Sequence, residues 1–311
     1  MSAAPSNVGP REGSAIDDRY RAFLETVSHL RSRLHRYCSR MTGSPLDGED
    51  IMQEALLEAY RKLDDLDKPS ALGSWLFRIA HNRAIDFLRR RELRPAVEAA
   101  FADDELVDFT TTGDPGVAHA IERLVLRLPP KERACVLLKD VFDYPLAEIA
   151  ELTETTIGGV KAALFRARTK LAALPEDAGS VPAMRTDPQR AELLRLYVER
   201  FNQRDWDGVR DLVSADARLQ VYERFEGLMR ESPYFLRNEQ WLPWLAMVAT
   251  IGSEDVVVIL RETEGRMLPG AVVRIETSGD RIVGVRDYRH CPWVNRGIVR
   301  LFENRSLPWT V

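Results

Sequence analysis

The periodicity of apolar residues changes once along this chain, and that change limits the fold more than any other feature. From Asp17 to Arg91, and again from Val117 to Leu174, apolar residues recur every three to four positions, the spacing of one helix face. Beyond Pro188 a further helix, Gln189 to Asn202, gives way to short alternating runs. Those runs, Arg218 to Tyr222, Asp255 to Arg261, Ala271 to Thr277 and Arg281 to Tyr288, have the period of half-buried strands, and Ser278-Gly279-Asp280 reads as a hairpin turn between the last two. The pattern predicts all-α domains followed by an α+β domain. Six segments follow: a disordered 1–16, a helical 17–94, a linker at 95–116, a helical 117–174, a linker at 175–187 and an α+β 188–311. Within the first helical block, Thr42-Gly43-Ser44-Pro45 and Lys68-Pro69-Ser70 mark breaks.

Charge is unevenly spread over this pattern. The net charge of the 311 residues is −4, yet Trp75 to Arg94 holds six arginines against Asp86 and Glu92. Ile157 to Leu174 holds Lys161, Arg166, Arg168 and Lys170 with no acid, and an acidic run, Glu98 to Asp114, lies between the two. Binding of a polyanion depends on where charge sits, so the acidic balance does not exclude a nucleic-acid partner. Cys38, Cys135 and Cys291 are far apart and odd in number, which supports neither a disulfide framework nor a metal site. The polar start MSAAPSNVGPREGS has no apolar signal core, and no apolar run reaches the length of a membrane span. The expectation is a reducing, cytoplasmic protein without a membrane partner.

Two helical stretches carry chemistry. Trp75 to Arg91, WLFRIAHNRAIDFLRRR, combines rings that can stack on unpaired bases, an amide that can read a base edge and arginines that bind phosphate. The bland alternative is a basic face turned to solvent. Asp47 to Leu63, DGEDIMQEALLEAYRKL, stacks Asp50, Glu54 and Glu58 into an acidic stripe beside an apolar one, with Asp47 placed as an N-cap. It reads either as a plain surface helix or as an acidic face for a basic partner.

In this order, DxEDxxQE, then W-L-x-R-I-A-x-N-x-x-x-D-x-x-R-R, then L-P-P-K-E-R, the chain resembles the extracytoplasmic-function group of sigma-70-type sigma factors of bacterial RNA polymerase. The resemblance covers about Asp17 to Leu174, with region 2 at 17–94 and region 4 at 117–174. It implies that Asp47, Glu49, Asp50, Gln53 and Glu54 lie in a helix docking on the clamp helices of the polymerase β′ subunit, with the β flap as a second contact. It implies that Trp75, Arg78, His81, Asn82, Arg83, Asp86, Arg89, Arg90 and Arg91 engage the −10 promoter element, with Asn82 at a flipped base. Region 4 then forms a helix-turn-helix, Pro145 to Leu152 and Ile157 to Lys170, whose second helix reads the −35 element. Thr156, Lys161, Arg166, Arg168 and Lys170 are its candidate contacts, with Lys161 nearest a base edge and the arginines on phosphate, while Val160, Leu164 and Leu171 pack the core.

Two departures stand out. Glu154 occupies the turn position where the family often has glycine, and Gly158-Gly159 weakens the start of the second helix, which is expected to fray. The remaining 188–311 resembles the SnoaL-like branch of the nuclear-transport-factor-2-like cone fold, which implies a small-ligand pocket or a regulatory contact. Tyr222, Trp241, Trp244, Asp287 and His290 are its candidate residues, with Tyr288 beside them as a further acid or base. The expected function is transcription initiation by binding, without catalysis, metal or cofactor. The alternative is a helix-turn-helix regulator fused to a ligand-binding or isomerase-like domain.

Overall fold

A computed structural model describes residues 12–66, 71–93, 125–173, 187–222, 224–235, 244–251, 254–263, 265–291 and 293–295. The linker expected at 95–116, nearly all of that at 175–187, most of the 1–16 segment, the break at Lys68-Pro69-Ser70 and Trp241 lie outside these residues. The chain divides into two compact units.

The first unit is helical. It contains α1 (Glu12–Thr42), α2 (Pro45–Arg61, from Asp47 onward), a 3-10 turn at Leu63–Asp65, α3 (Leu72–Leu93), α4 (Pro130–Val136) running into a π-helical turn (Leu137–Val141), α5 (Leu146–Leu152) and α6 (Ile157–Ala172). α1 starts inside the segment expected to be disordered. α2 starts at Pro45 rather than Asp47, because a first helical residue needs no N–H. Asp47 sits in that first turn, where its charge favours the helix dipole.

An aromatic knot joins the two helical blocks that the sequence separates. The Tyr37 ring lies 5.2 Å from Phe77 and 5.9 Å from Phe142, and Tyr144 lies 5.5 Å from Phe77. Arg36 covers the Phe142 ring at 4.9 Å, and Arg33 covers Tyr144 at 4.6 Å while donating to the Phe142 carbonyl at 3.1 Å. At the end of α1, Arg91 donates to the Thr42 carbonyl and Arg133 to that of Met41, which satisfies acceptors a helix terminus leaves free. Between α5 and α6 the backbone of Glu154 has φ 50, the left-handed turn expected there.

The second unit packs α7 (Pro188–Asn202) and α8 (Trp206–Asp211) against a six-stranded sheet. The strands are β1 (Val213–Val221), β2 (Phe225–Leu228), β3 (Trp244–Ile251), β4 (Glu254–Thr263), β5 (Arg266–Ser278) and β6 (Arg281–Asp287), in the order β2-β1-β6-β5-β4-β3. β1 runs parallel to β6 and the other neighbours are antiparallel. The expected α+β character is met. β2 and β3 were not expected from the sequence: β2 is four residues with an internal glycine, and β3 is an edge strand with weak alternation.

The sheet's two faces bury different residues. Tyr197 and Phe201 of α7 pack with Leu219, Val257, Val273 and Val285 on one face, while Val256, Val258, Val272 and Tyr288 lie on the other. The edge strand β3 is closed by a side chain that imitates a neighbouring strand. Asn202 accepts from the Ala246 N–H at 2.7 Å and donates to its carbonyl at 2.9 Å.

Candidate nucleic-acid interface

α3 sorts its expected contacts into two groups. Arg78, Asn82 and Asp86 follow one another at four-residue spacing along an exposed line, continued by Arg89 and Arg90. Asp86 accepts an ion pair from Arg89 at 3.5 Å, and Trp75 is half-buried at the head of this line. That surface offers an amide, guanidinium groups and an indole edge.

The other expected residues make contacts within the helical unit. His81 is buried, and its Nδ1 shares a hydrogen bond of 2.7 Å with the Tyr37 hydroxyl. Burial pushes the His81 pKa down to about 4, so the ring is neutral near pH 7 and brings no charge to DNA. Arg83 donates to Glu58 at 2.6 Å and lies 3.9 Å from Glu54, tying α3 to α2. Arg91 caps α1 as described above. Of these three only His81 is buried, while Arg83 and Arg91 stay partly exposed; the helix reading of Trp75 to Arg91 carried no information about which flank faces the core.

α2 sorts its acids likewise. Glu49 is completely buried, accepts from Gln53 Nε2 at 2.7 Å, pairs with Arg31 at 3.5 Å and lies 3.9 Å from His35 Nε2. It belongs to the packing of α1 against α2 rather than to an outer docking face. Gly48 beside it is required by close approach, since a Cβ there would fall 2.3 Å from Ser39 Oγ. Glu54 is exposed and Asp47 and Asp50 are half-buried, with exposed Leu57 and Tyr60 nearby. Glu58 is held below the usual carboxylate range by the hydrogen bond from Lys62 first, then by Arg83.

α5 and α6 meet as a helix-turn-helix. Thr156 is the N-cap of α6 and accepts from the Gly159 N–H at 3.0 Å. Gly158 and Gly159 thus fall in the first turn, where the cap holds the backbone. Val160, Ala163, Leu164 and Ala167 form the buried stripe. Glu132 of α4 accepts from Arg166 at 3.0 Å and from Lys170 at 2.8 Å, and Arg168 pairs with Asp140 at 2.8 Å. Burial would raise the Glu132 pKa, but those two cations hold it below the ordinary value. Lys161 is exposed and carries no ion pair among the described residues. Phe165 is 73% exposed on the same helix and was not singled out from the sequence. Its position outside the three-four stripe of Val160, Leu164 and Ala167 was the available signal.

In the second unit Asp287 and Trp244 are brought together through Arg289. Tyr222 stacks on Tyr288, with ring centroids 4.7 Å apart, on the sheet face away from α7. His290 is exposed. Asp287 is fully buried and accepts from Tyr234 Oη at 2.7 Å, from the Arg289 N–H at 2.9 Å and from Arg289 Nε at 2.8 Å. The Arg289 guanidinium also lies over the rings of Tyr234 and Trp244, at 5.3 Å and 5.7 Å. Tyr234 and Arg289, missed from the sequence, make Asp287 a paired carboxylate rather than a free base. Among the described residues there is no cluster of acids, His and Cys able to hold a metal, and no helix long and apolar enough to cross a membrane.

Residues 26–94 match the family Sigma-70 region 2, and residues 118–171 match Sigma-70, region 4. The chain is 31% identical over 162 residues to the ECF RNA polymerase sigma factor SigW of Bacillus subtilis, covering 87% of it. The chain belongs to the ECF sigma factors. Another sigma factor of this family, SigG of Mycobacterium tuberculosis, is 30% identical in an alignment 227 residues long that covers 65% of this chain and 61% of SigG. Among solved structures, the chain is similar to the Mycobacterium tuberculosis ECF sigma factor SigJ, at 20% identity and a TM-score of 0.34, covering 85% of this chain and 95% of SigJ. In the terms of this family, α1 to α3 carry sigma region 2 and α4 to α6 carry sigma region 4.

Proposed function

We propose that this sigma factor binds core RNA polymerase and directs promoter-specific initiation, with the C-terminal unit modulating that activity. The observation that carries the reading is the exposed line Arg78, Asn82, Asp86 and Arg89 on α3. It offers base-reading and phosphate-binding groups on one rigid face, while His81 and Arg83 anchor the opposite flank. Glu54, exposed beside Leu57, is the acid best placed to meet the β′ clamp helices, with Asp47 and Asp50 beside it. Lys161 and Thr156 mark the start of the major-groove helix for the upstream element. Initiation by this route needs no covalent chemistry from the chain.

The C-terminal unit is proposed to act by contact. An isomerase-like role gains nothing from Asp287, whose oxygens already accept from Tyr234 and Arg289. Run-off transcription with purified core polymerase on genomic promoter fragments tests the proposal. The full chain is expected to give discrete transcripts, and Asn82→Ala to lose output on duplex promoters while keeping it on templates already melted over the −10 element. Absence of any core-dependent transcript would sink the reading.

A further inference from the structure

α6 presents an outward face of unusual chemistry for a helix expected to enter a DNA groove. Ile157, Gly158, Lys161, Ala162 and Phe165 recur at helical spacing opposite the buried stripe Val160, Ala163, Leu164 and Ala167. Phe165, 73% exposed, lies near the centre of that face, and Ile157 at its edge is 45% exposed. Nothing polar and uncharged there reaches far: Gly158 and Ala162 leave the backbone low between Lys161 and Phe165. The helix's long donors, Arg166, Arg168 and Lys170, are drawn back to Glu132 and Asp140 on α4 and its π-helical extension. Their side chains stay at least half exposed, at 56%, 60% and 50%, so they frame the face with positive charge without extending over it.

A face that is cationic at its margins and apolar at its centre fits the DNA major groove at one feature. Phosphates line the groove, and the 5-methyl group of thymine is the apolar feature among the base edges. The low Gly158 and Ala162 positions let the helix backbone come close enough for a ring to reach that methyl. We propose that α6 reads its upstream element by apolar contact of Phe165, supported by Ala162 and Ile157, with thymine methyl groups, and that Phe165 is the main specificity-determining residue of this helix. Lys161 then supplies the single charged contact in the same face. This rests on the reading of α4 to α6 as the upstream promoter reader, but not on which promoter is used.

The test separates the two. Assembly of the full chain with core polymerase is measured first, without DNA, so that failure of the initiation reading shows there. Binding sites are then selected from a randomised duplex library by the assembled complex, or by the chain alone if none assembles. In the selected upstream element each thymine is replaced by uracil, which removes only the methyl. For the wild-type chain, one or two of these replacements are expected to weaken binding about fourfold each, the factor expected for one buried methyl. Phe165→Ala, at a position exposed enough to leave folding intact, is expected to weaken binding to the thymine element and to be indifferent to uracil. Equal wild-type binding of thymine and uracil elements, or uracil sensitivity that survives Phe165→Ala, overturns the proposal. So does a Phe165→Ala chain that binds DNA normally but no longer assembles with polymerase, which would give this face a protein partner instead.

Discussion

The hydroxyl of Tyr37 on α1 and Nδ1 of His81 on α3 share a hydrogen bond of 2.7 Å, inside the aromatic knot that also contains Phe77 and Phe142. Burial keeps the Tyr37 proton in place by raising its pKa well above the ordinary value, and keeps the imidazole neutral by lowering its own. Burial of the pair therefore requires a neutral ring.

The first prediction follows from that requirement. His81 has a folded pKa of about 4 against about 6.5 when unfolded, so the unfolded chain binds the extra proton first as pH falls. The stability contribution is fully present above pH 6.5, declines between 6.5 and 4, and is gone below 4. Urea melts of the wild type at pH 7 and pH 5 are expected to differ by about 2 kcal/mol from this group. In His81→Asn the same interval is expected to shrink by about that amount; an unchanged interval would place the pH sensitivity elsewhere.

The two acids Glu49 and Glu54, five positions apart on α2, are predicted to behave oppositely. Glu49→Ala strips a buried partner from Arg31 and Gln53 and is expected to cost about 3 kcal/mol of stability. Glu54→Ala is expected to change stability by less than about 0.5 kcal/mol and to weaken core-polymerase binding. Thermal melts and a core-binding titration of each variant distinguish them, and a stable Glu49→Ala chain would contradict its structural role.

Asp287→Asn is predicted to destabilise the second unit by about 3 to 5 kcal/mol, because it leaves the half-buried Arg289 without its carboxylate. Tyr234→Phe removes one hydrogen bond to that carboxylate and is expected to cost about 1 to 2 kcal/mol. The order of the two, read from denaturant midpoints, tests whether the ion pair or the phenol dominates.

Glu154 is held at φ 50 by the turn between α5 and α6. A side chain in that conformation costs about 1 kcal/mol that glycine avoids. Glu154→Gly is thus expected to raise stability by about 1 kcal/mol, less a fraction lost to the freer unfolded chain. A lower melting temperature in this variant would show that Glu154 has a compensating contact.

Much of the fold was legible in the sequence, for reasons visible in particular elements. The apolar spacing of α2, α3, α6 and α7 and the β-branched runs in β4 to β6 are local signals, and so are the glycines at Gly43 and Gly279, with φ of 86 and 59. β2 and β3 were missed because a four-residue strand and an edge strand bury too little to show a period. The candidate interface was legible as a segment but not as a face. Asn82 and His81 are adjacent in sequence, yet one is exposed and the other buried, and Phe165 was overlooked between Leu164 and Arg166.

By itself, the sequence determined what local chemistry can determine: which segments are helix or strand, and that Trp75 to Arg91 carries groups suited to a nucleic acid. Only the tertiary structure decided how those groups are divided. Arg83 went to Glu58, Arg91 to the end of α1, Arg166 and Lys170 to Glu132, and Asp287 to Tyr234 and Arg289. The physical reason is that a charge takes its role from the partners packing brings within a few ångströms, and those partners lie from two to fifty-three positions away along the chain.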